Sequence, residues 1–209
     1  MKLNYWQYSW SLDREQCPCD FHFLEYLIAR GASGKCIFHF GSGEHHLLGR
    51  GNAVAPKRND ILAITASKSE HAAYVEMIIH QPRIARNYKV LFADIYTLTA
   101  ALLPTFDFVS LFHLCEYYDP VKSAYARHDD KSLLQLFFSK LNPEGRILFF
   151  RDSDGFAQTR SIIQGLLSSG RLVEEENYKS LLIFQARPAV APASRGGLIE
   201  EKRPGARKT

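Results

Sequence analysis

The chain has 209 residues, 46% of them hydrophobic and 23% charged, which suits one globular domain and is too short for two comfortable ones. No apolar run approaches the roughly 20 residues that a bilayer span requires, and Met1 to Gln7 holds no uninterrupted apolar stretch for a signal peptide, so the expectation is a cytoplasmic protein. The net charge is +4, of which +3 sits between Pro188 and Thr209, where Arg195, Lys202, Arg203, Arg207 and Lys208 face Glu200 and Glu201; the near-neutral remainder lacks the concentrated basic surface of a nucleic-acid binder.

The first segment is aromatic, with Tyr5, Trp6, Tyr8 and Trp10, and reads as a lid or docking segment within an extension over residues 1–33. Asp20 offers an N-cap to a helix ending at Arg30 before Gly31, with Phe21, Leu24, Leu27 and Ile28 on one face. Lys35 to Phe40 reads as a strand, broken by Gly41-Ser42-Gly43. A short helix from Glu44 to Leu48 is expected to stop where Gly49, Gly51 and Pro56 interrupt it. A second strand covers Asp60 to Ala66. The following helix, Ser69 to His80, is expected to bury Ala72, Val75, Ile78 and Ile79. Tyr88 to Ala93 is a third strand and Tyr96 to Leu103 a helix stopped by Pro104. Phe106 to Phe112 is a fourth strand. Asp130 caps a helix to Leu141 with Leu133, Leu134 and Phe137 inward, and Asn142 to Gly145 makes a turn. A strand from Arg146 to Phe150, a helix from Phe156 to Ser168 and a hairpin over Arg171–Asn177 and Lys179–Ala186 complete the folded part. Residues 188–209, rich in Pro, Ala, Gly and Arg, read as a disordered tail. Residues 1–187 read as a single domain.

Strands alternating with helices imply βαβ units on a parallel sheet. In such a sheet ligands bind beyond the carboxyl ends of the strands, where the chain order reverses. The loop after the first strand, Phe40-Gly41-Ser42-Gly43-Glu44-His45-His46, has the composition for this. Two glycines let the backbone turn tightly, and a helix start beyond them offers free N–H groups.

The order of segments from Gly34 to Arg187 resembles the class I S-adenosylmethionine-dependent methyltransferases. Cys36-Ile37-Phe38-His39-Phe40-Gly41-Ser42-Gly43 is similar to the family's glycine-rich motif, and Ile61 to Ser67 to its second strand. Val90-Leu91-Phe92-Ala93-Asp94 resembles the third strand with the acid that meets the adenine. Phe106 to Glu116 resembles the fourth strand, and Leu141-Asn142-Pro143-Glu144-Gly145-Arg146-Ile147-Leu148 the turn before the fifth. The resemblance implies a Rossmann-like three-layer αβα fold on a mostly parallel seven-stranded sheet, with the last strand antiparallel beside the fifth. It implies S-adenosylmethionine as cofactor, bound by Gly41, Ser42, Gly43, Thr65, Asp94 and Phe112, and methyl transfer to an O or N of a small-molecule acceptor. His113 and Glu116 are the implied catalytic residues.

Two departures stand out. Thr65 occupies the place of the family's ribose-binding acid, with Glu70 one turn later, and His45 replaces the third glycine, with His46 beside it. A hydroxyl forms a weaker bond than a carboxylate there. They leave a second reading, a degenerate, non-catalytic domain that serves as a binding or scaffolding partner of other proteins. A nicotinamide-dependent enzyme ranks third, because the Gly-x-Gly-x-x-Gly spacing is incomplete at His46. No metal is expected: Cys17-Pro-Cys19 has one residue fewer between the thiols than the common zinc knuckle, and adjacent His45 and His46 face different ways on a helix.

Overall fold

Strands buried on both faces must be apolar at nearly every position, and Ile37-Phe38, Val109 and Ile147-Leu148-Phe149 meet that demand. In the computed structural model, which describes residues 7–187, they lie at the centre of a seven-stranded sheet. The strands are β1 (Cys36–Phe40), β2 (Asp60–Thr65), β3 (Tyr88–Phe92), β4 (Phe106–Ser110), β5 (Leu141–Phe150), β6 (Leu172–Tyr178) and β7 (Leu181–Ala186). Their order is β3-β2-β1-β4-β5-β7-β6. Pairings are parallel from β3 through β5, and β7 runs antiparallel to both β5 and β6. The α/β, three-layer expectation is met, including the antiparallel last strand beside β5. The basic tail, Tyr5 and Trp6 lie outside the described residues. No helix among the described residues is long and apolar enough to cross a membrane.

Alternate side chains leave the sheet on opposite faces. Phe38, Val109, Ile147 and Phe149 pack on α4 (Asp130–Ser139) and α5 (Phe156–Ser168), through Leu133, Leu134, Phe137, Ile163 and Leu166. Ile37, Phe108, Leu148 and Ile183 pack on α1 (Cys19–Ala29), α2 (Leu47–Val54) and α3 (Lys68–His80).

Several elements differ from their sequence reading, each for a local reason. The N-cap of α1 is Pro18, not Asp20, and the helix buries Phe23, Tyr26 and Leu27 while Ile28 is 70% exposed. Helix α3 buries Glu70, Tyr74 and Met77, and the expected inward residues Val75 and Ile79 face outward. Both helices carry apolar residues around most of the circumference, so periodicity alone leaves the face undetermined. Helix α4 is capped by Asp129 in a reciprocal box with Ser132, while Asp130 accepts hydrogen bonds from the Tyr96 hydroxyl and the Cys115 amide. The expected helix after β3 is two 3₁₀ turns, Ile95–Thr97 and Ala100–Leu102. The carbonyls it would need are taken elsewhere: Tyr96 O accepts from the amides of Arg127 and His128, and Leu98 O from His128 Nε2. The Asn142–Gly145 turn survives as an irregularity inside β5, where Leu141 pairs with Phe106 and Arg146 with Phe108.

Helix α2 starts later than expected and runs through Gly49 and Gly51. Neither glycine breaks it because each admits a neighbour: a Cβ on Gly49 would stand 2.4 Å from the Tyr88 ring, and one on Gly51 would stand 2.7 Å from Leu24. Glycine here trades helix propensity for close approach. Gly49→Ala should therefore destabilise the protein by about 1–3 kcal/mol despite alanine's better propensity; a chemical-denaturation series checks it, and a neutral or stabilising result would refute the packing argument.

Candidate active site at the carboxyl ends of β1 and β4

The chain runs outward from β1 through β2 to β3, then returns to lay β4 on the other side of β1. The ends of β1 and β4 therefore diverge at the reversal. Across them His39 Nδ1 and Ser110 Oγ, a registered pair, are hydrogen-bonded at 2.7 Å. The loop that follows β1 turns through Gly41 at φ +86° and Gly43 at φ +55°, values that favour glycine. A Cβ on Gly43 would stand 2.3 Å from His45 Nε2. So His45, in the place of the third glycine, folds back over Gly43 and stands 3.5 Å from Asp20 Oδ2. Ser42 is 1% exposed and its Oγ has no hydrogen-bond partner.

The other cofactor residues named from sequence divide into two groups. Thr65 and Asp94 end β2 and follow β3 on the same rim, but both are engaged with the protein itself. Thr65 Oγ1 donates to Glu70 Oε2 at 2.6 Å. The Trp10 amide donates to the other Glu70 oxygen at 3.3 Å, and the Trp10 carbonyl accepts from the Glu44 amide. Glu70 thus stands beside Thr65 as a buried carboxyl, which burial pushes above its usual range against the pull of Thr65 and Trp10. Asp94 caps a 3₁₀ turn through the Tyr96 amide and also accepts from the Tyr125 hydroxyl. Phe112, by contrast, is 1% exposed and sits edge-on against Phe23 and His39 beneath α1.

His113 and Glu116, the named catalytic pair, are joined: His113 Nδ1 lies 2.9 Å from Glu116 Oε2. A Cβ on Gly41 would meet His113 Cδ2 at 3.9 Å, so the imidazole lies against the glycine loop. Burial works against the charged ring, but Cys17 and Glu116 overcome it and raise His113 to about 10. Glu116 is held below its usual range, burial being outweighed by His113, Ser153 and Gly155.

Three side chains that the sequence reading gave no part in the site, Cys17, Cys19 and Asp20, complete the arrangement. Cys17 and Cys19 bring both sulfurs to His113 Nε2, and Cys17 is lowered to about 5, chiefly by its contact with Cys19. Asp20, in the first turn of α1, is buried between His39 Nε2 and His45 Nε2 at 3.5 Å from each. Burial opposes its charge, yet His39, His45 and His113 keep its carboxyl below the ordinary value. The sequence signal was present as Cys-Pro-Cys-Asp before a helix. Its partners lie some 20 to 95 residues away, at positions that only the β1–β4 pairing brings near.

No family model matches the chain, and no curated protein sequence matches it. Solved structures do resemble it. An N-methyltransferase, NodS, from Bradyrhizobium japonicum WM9, crystallised with S-adenosyl-L-homocysteine, superposes with a TM-score of 0.54 at 14% identity, covering 80% of this chain and 86% of that one. Magnesium protoporphyrin IX methyltransferase from Synechocystis PCC 6803, with bound SAM, gives 0.55 at 11% identity, covering 82% and 79%. A precorrin-6y C5,15-methyltransferase from Geobacter metallireducens GS-15 gives 0.56 at 12%, covering 85% and 94%. The fold is that of the class I methyltransferases. At such identities the likeness establishes the methyltransferase fold and leaves the activity to the site itself.

A concavity of about 310 Å³ opens away from this rim, at Arg30–Ser33, Lys35, Phe108 and Arg146, by the amino end of β1. Its arginines are paired, Arg30 with Glu175 and Glu176 and Arg146 with Glu175.

His46 gives this region a pH dependence. It enters α2 at φ 47°, is fully buried, and contacts the Tyr88 hydroxyl and the Glu70 carbonyl through its two ring nitrogens at 3.1 and 2.9 Å. Burial lowers it from 6.5 to about 4. The unfolded chain takes up this proton first as pH falls, so the contribution of neutral His46 is complete above pH 6.5 and is lost between pH 6.5 and about 4. The melting temperature of wild type should fall across that window more steeply than that of His46→Asn, which keeps a residue tolerant of this backbone. Equal slopes would disprove the assignment.

Proposed function

We propose that this chain transfers a methyl group from S-adenosylmethionine to an oxygen or nitrogen of a small-molecule acceptor. The observation that carries the reading is the glycine turn at the β1–β4 reversal with the paired His113 and Glu116 packed against it. Gly41, Ser42 and Gly43 would hold the cofactor's amino-acid end, and the unpartnered Ser42 Oγ suits a polar ligand group there. Asp94 and the Thr65–Glu70 pair would face its nucleoside. The cofactor supplies an activated methyl group on a sulfonium; the protein's task is alignment and exclusion of water. On the acceptor side, His113 already carries its proton at neutral pH, so Glu116 is the oxygen base that takes up the acceptor's proton, and His113 holds it in place.

A specific observation favours the second reading, a non-catalytic domain that binds other proteins. Both oxygens of Glu70 and both of Asp94 are already satisfied from within the chain. A cofactor hydroxyl would have to share the Glu70 oxygens with the Trp10 amide and the Thr65 hydroxyl.

Calorimetric titration with S-adenosylmethionine and S-adenosylhomocysteine separates the two. The expected outcome is micromolar binding of either ligand, weakened about tenfold in Asp94→Asn, which keeps the turn cap but removes the charge-assisted bond. No heat and no thermal stabilisation at millimolar ligand would overturn the enzymatic reading and leave the binding one.

A further inference from the structure

Cys17, Cys19 and His113 form a triangle of donor atoms beside the glycine loop. Cys17 Sγ stands 3.3 Å from Cys19 Sγ and 3.8 Å from His113 Nε2, and Cys19 Sγ stands 4.0 Å from the same nitrogen. A disulfide needs a sulfur separation of about 2.05 Å, so the two thiols are free. Residues two apart point to different sides of a regular helix. The thiols converge here because Pro18 is the N-cap: Cys17 precedes α1 and Cys19 opens it. This removes the objection that the Cys-Pro-Cys spacing raises for a metal site.

The triangle fits one tetrahedral ion. With metal–sulfur bonds of about 2.3 Å and metal–nitrogen bonds of about 2.05 Å, tetrahedral angles place two sulfurs about 3.8 Å apart and sulfur and nitrogen about 3.6 Å apart. Each observed separation lies within about 0.5 Å of these values. The third ligand is also prepared for the role. Glu116 Oε2 sits 2.9 Å from His113 Nδ1, so the carboxylate fixes the ring and leaves Nε2 directed at the sulfurs, where an ion would displace the proton that Nε2 carries in its absence. Metal-binding histidines are commonly held in this way. Two thiols and an imidazole select a borderline or soft ion and disfavour magnesium or calcium, which take oxygen ligands.

We infer that Cys17, Cys19 and His113 bind one thiophilic divalent ion, zinc before others, with Glu116 as the carboxylate that orients His113. Three protein ligands leave a tetrahedral ion one position for water or for an acceptor atom. The ion would also tie the segment ahead of α1, which carries Trp10 and its bonds to Glu44 and Glu70, to the end of β4. The inference stands on this geometry and does not depend on methyl transfer.

The test uses the full chain, reduced, stripped with a chelator and titrated without air with cobalt(II) and then zinc(II). The expected result is one cobalt per chain, with the thiolate-to-cobalt charge-transfer absorption and intense visible bands of a tetrahedral site, all displaced by one equivalent of zinc. Cys17→Ser and Cys19→Ser should each weaken binding and diminish the charge-transfer absorption, the double variant should abolish it, and His113→Gln should weaken binding at least tenfold, whereas Cys36→Ser and Cys115→Ser should retain both. Circular dichroism identifies any variant that fails to fold. The unaltered chain supplies an independent readout: zinc should shield Cys17 and Cys19, but neither Cys36 nor Cys115, from alkylation mapped by mass spectrometry. Absence of the charge-transfer absorption in the reduced wild type, an alkylation pattern indifferent to zinc, or undiminished binding in a folded Cys17→Ser/Cys19→Ser variant would overturn the site.

Discussion

The reversal of strand order between β1 and β4, which run parallel, is the constraint on which the rest depends. Parallel strands buried on both faces cannot host polar chemistry along their length. Polar groups collect where the strands end, and at the reversal two neighbouring strands send their loops apart. The hydrogen bond between His39 and Ser110 ties the two strands together immediately before they part. Beyond it the glycine turn comes from one strand and His113–Glu116 from the other.

A second layer of order comes from the N-terminal part of the chain. Asp20 is a buried acid that stands 3.5 Å from His39 of β1 and 3.5 Å from His45 of the glycine loop, with its carboxyl held below the ordinary value. Burying a carboxylate without such partners is costly, so this cluster anchors the start of α1 over the reversal. Cys17, Cys19 and Trp10 arrive with it. Trp10, Cys17, Cys19 and Asp20 therefore pack against the same rim as the glycine turn, and Trp10 occupies one acceptor position of Glu70.

The helix Phe156–Ser168 was legible to the residue, because its amphipathic pattern lies between clear breaks. Helix α3 was legible in extent but not in orientation, since Tyr74 and Met77 compete with Val75, Ile78 and Ile79 for the buried side. Tyr74 wins because its hydroxyl reaches the Tyr88 carbonyl while its ring packs on Tyr88 and His46. The residues after β3 had helical composition, yet the chain from Arg127 to His128 captured their carbonyls. Each departure is a long-range contact overriding a local preference.

The sequence by itself determined the alternation of strands and helices, the strands' burial and the glycine turn after β1. These rest on local patterns of apolar residues and on backbone freedom, which neighbours in sequence suffice to specify. It also named His113 and Glu116, three residues apart, as candidates for the chemistry, and the fold joins them by a hydrogen bond. Only the tertiary structure decided which face each helix buries, that Thr65 shares its place with Glu70, and that Cys17, Cys19 and Asp20 join the histidines. Those relations connect residues far apart in the chain, and their geometry is set by strand register and by helix docking, which no local spacing encodes.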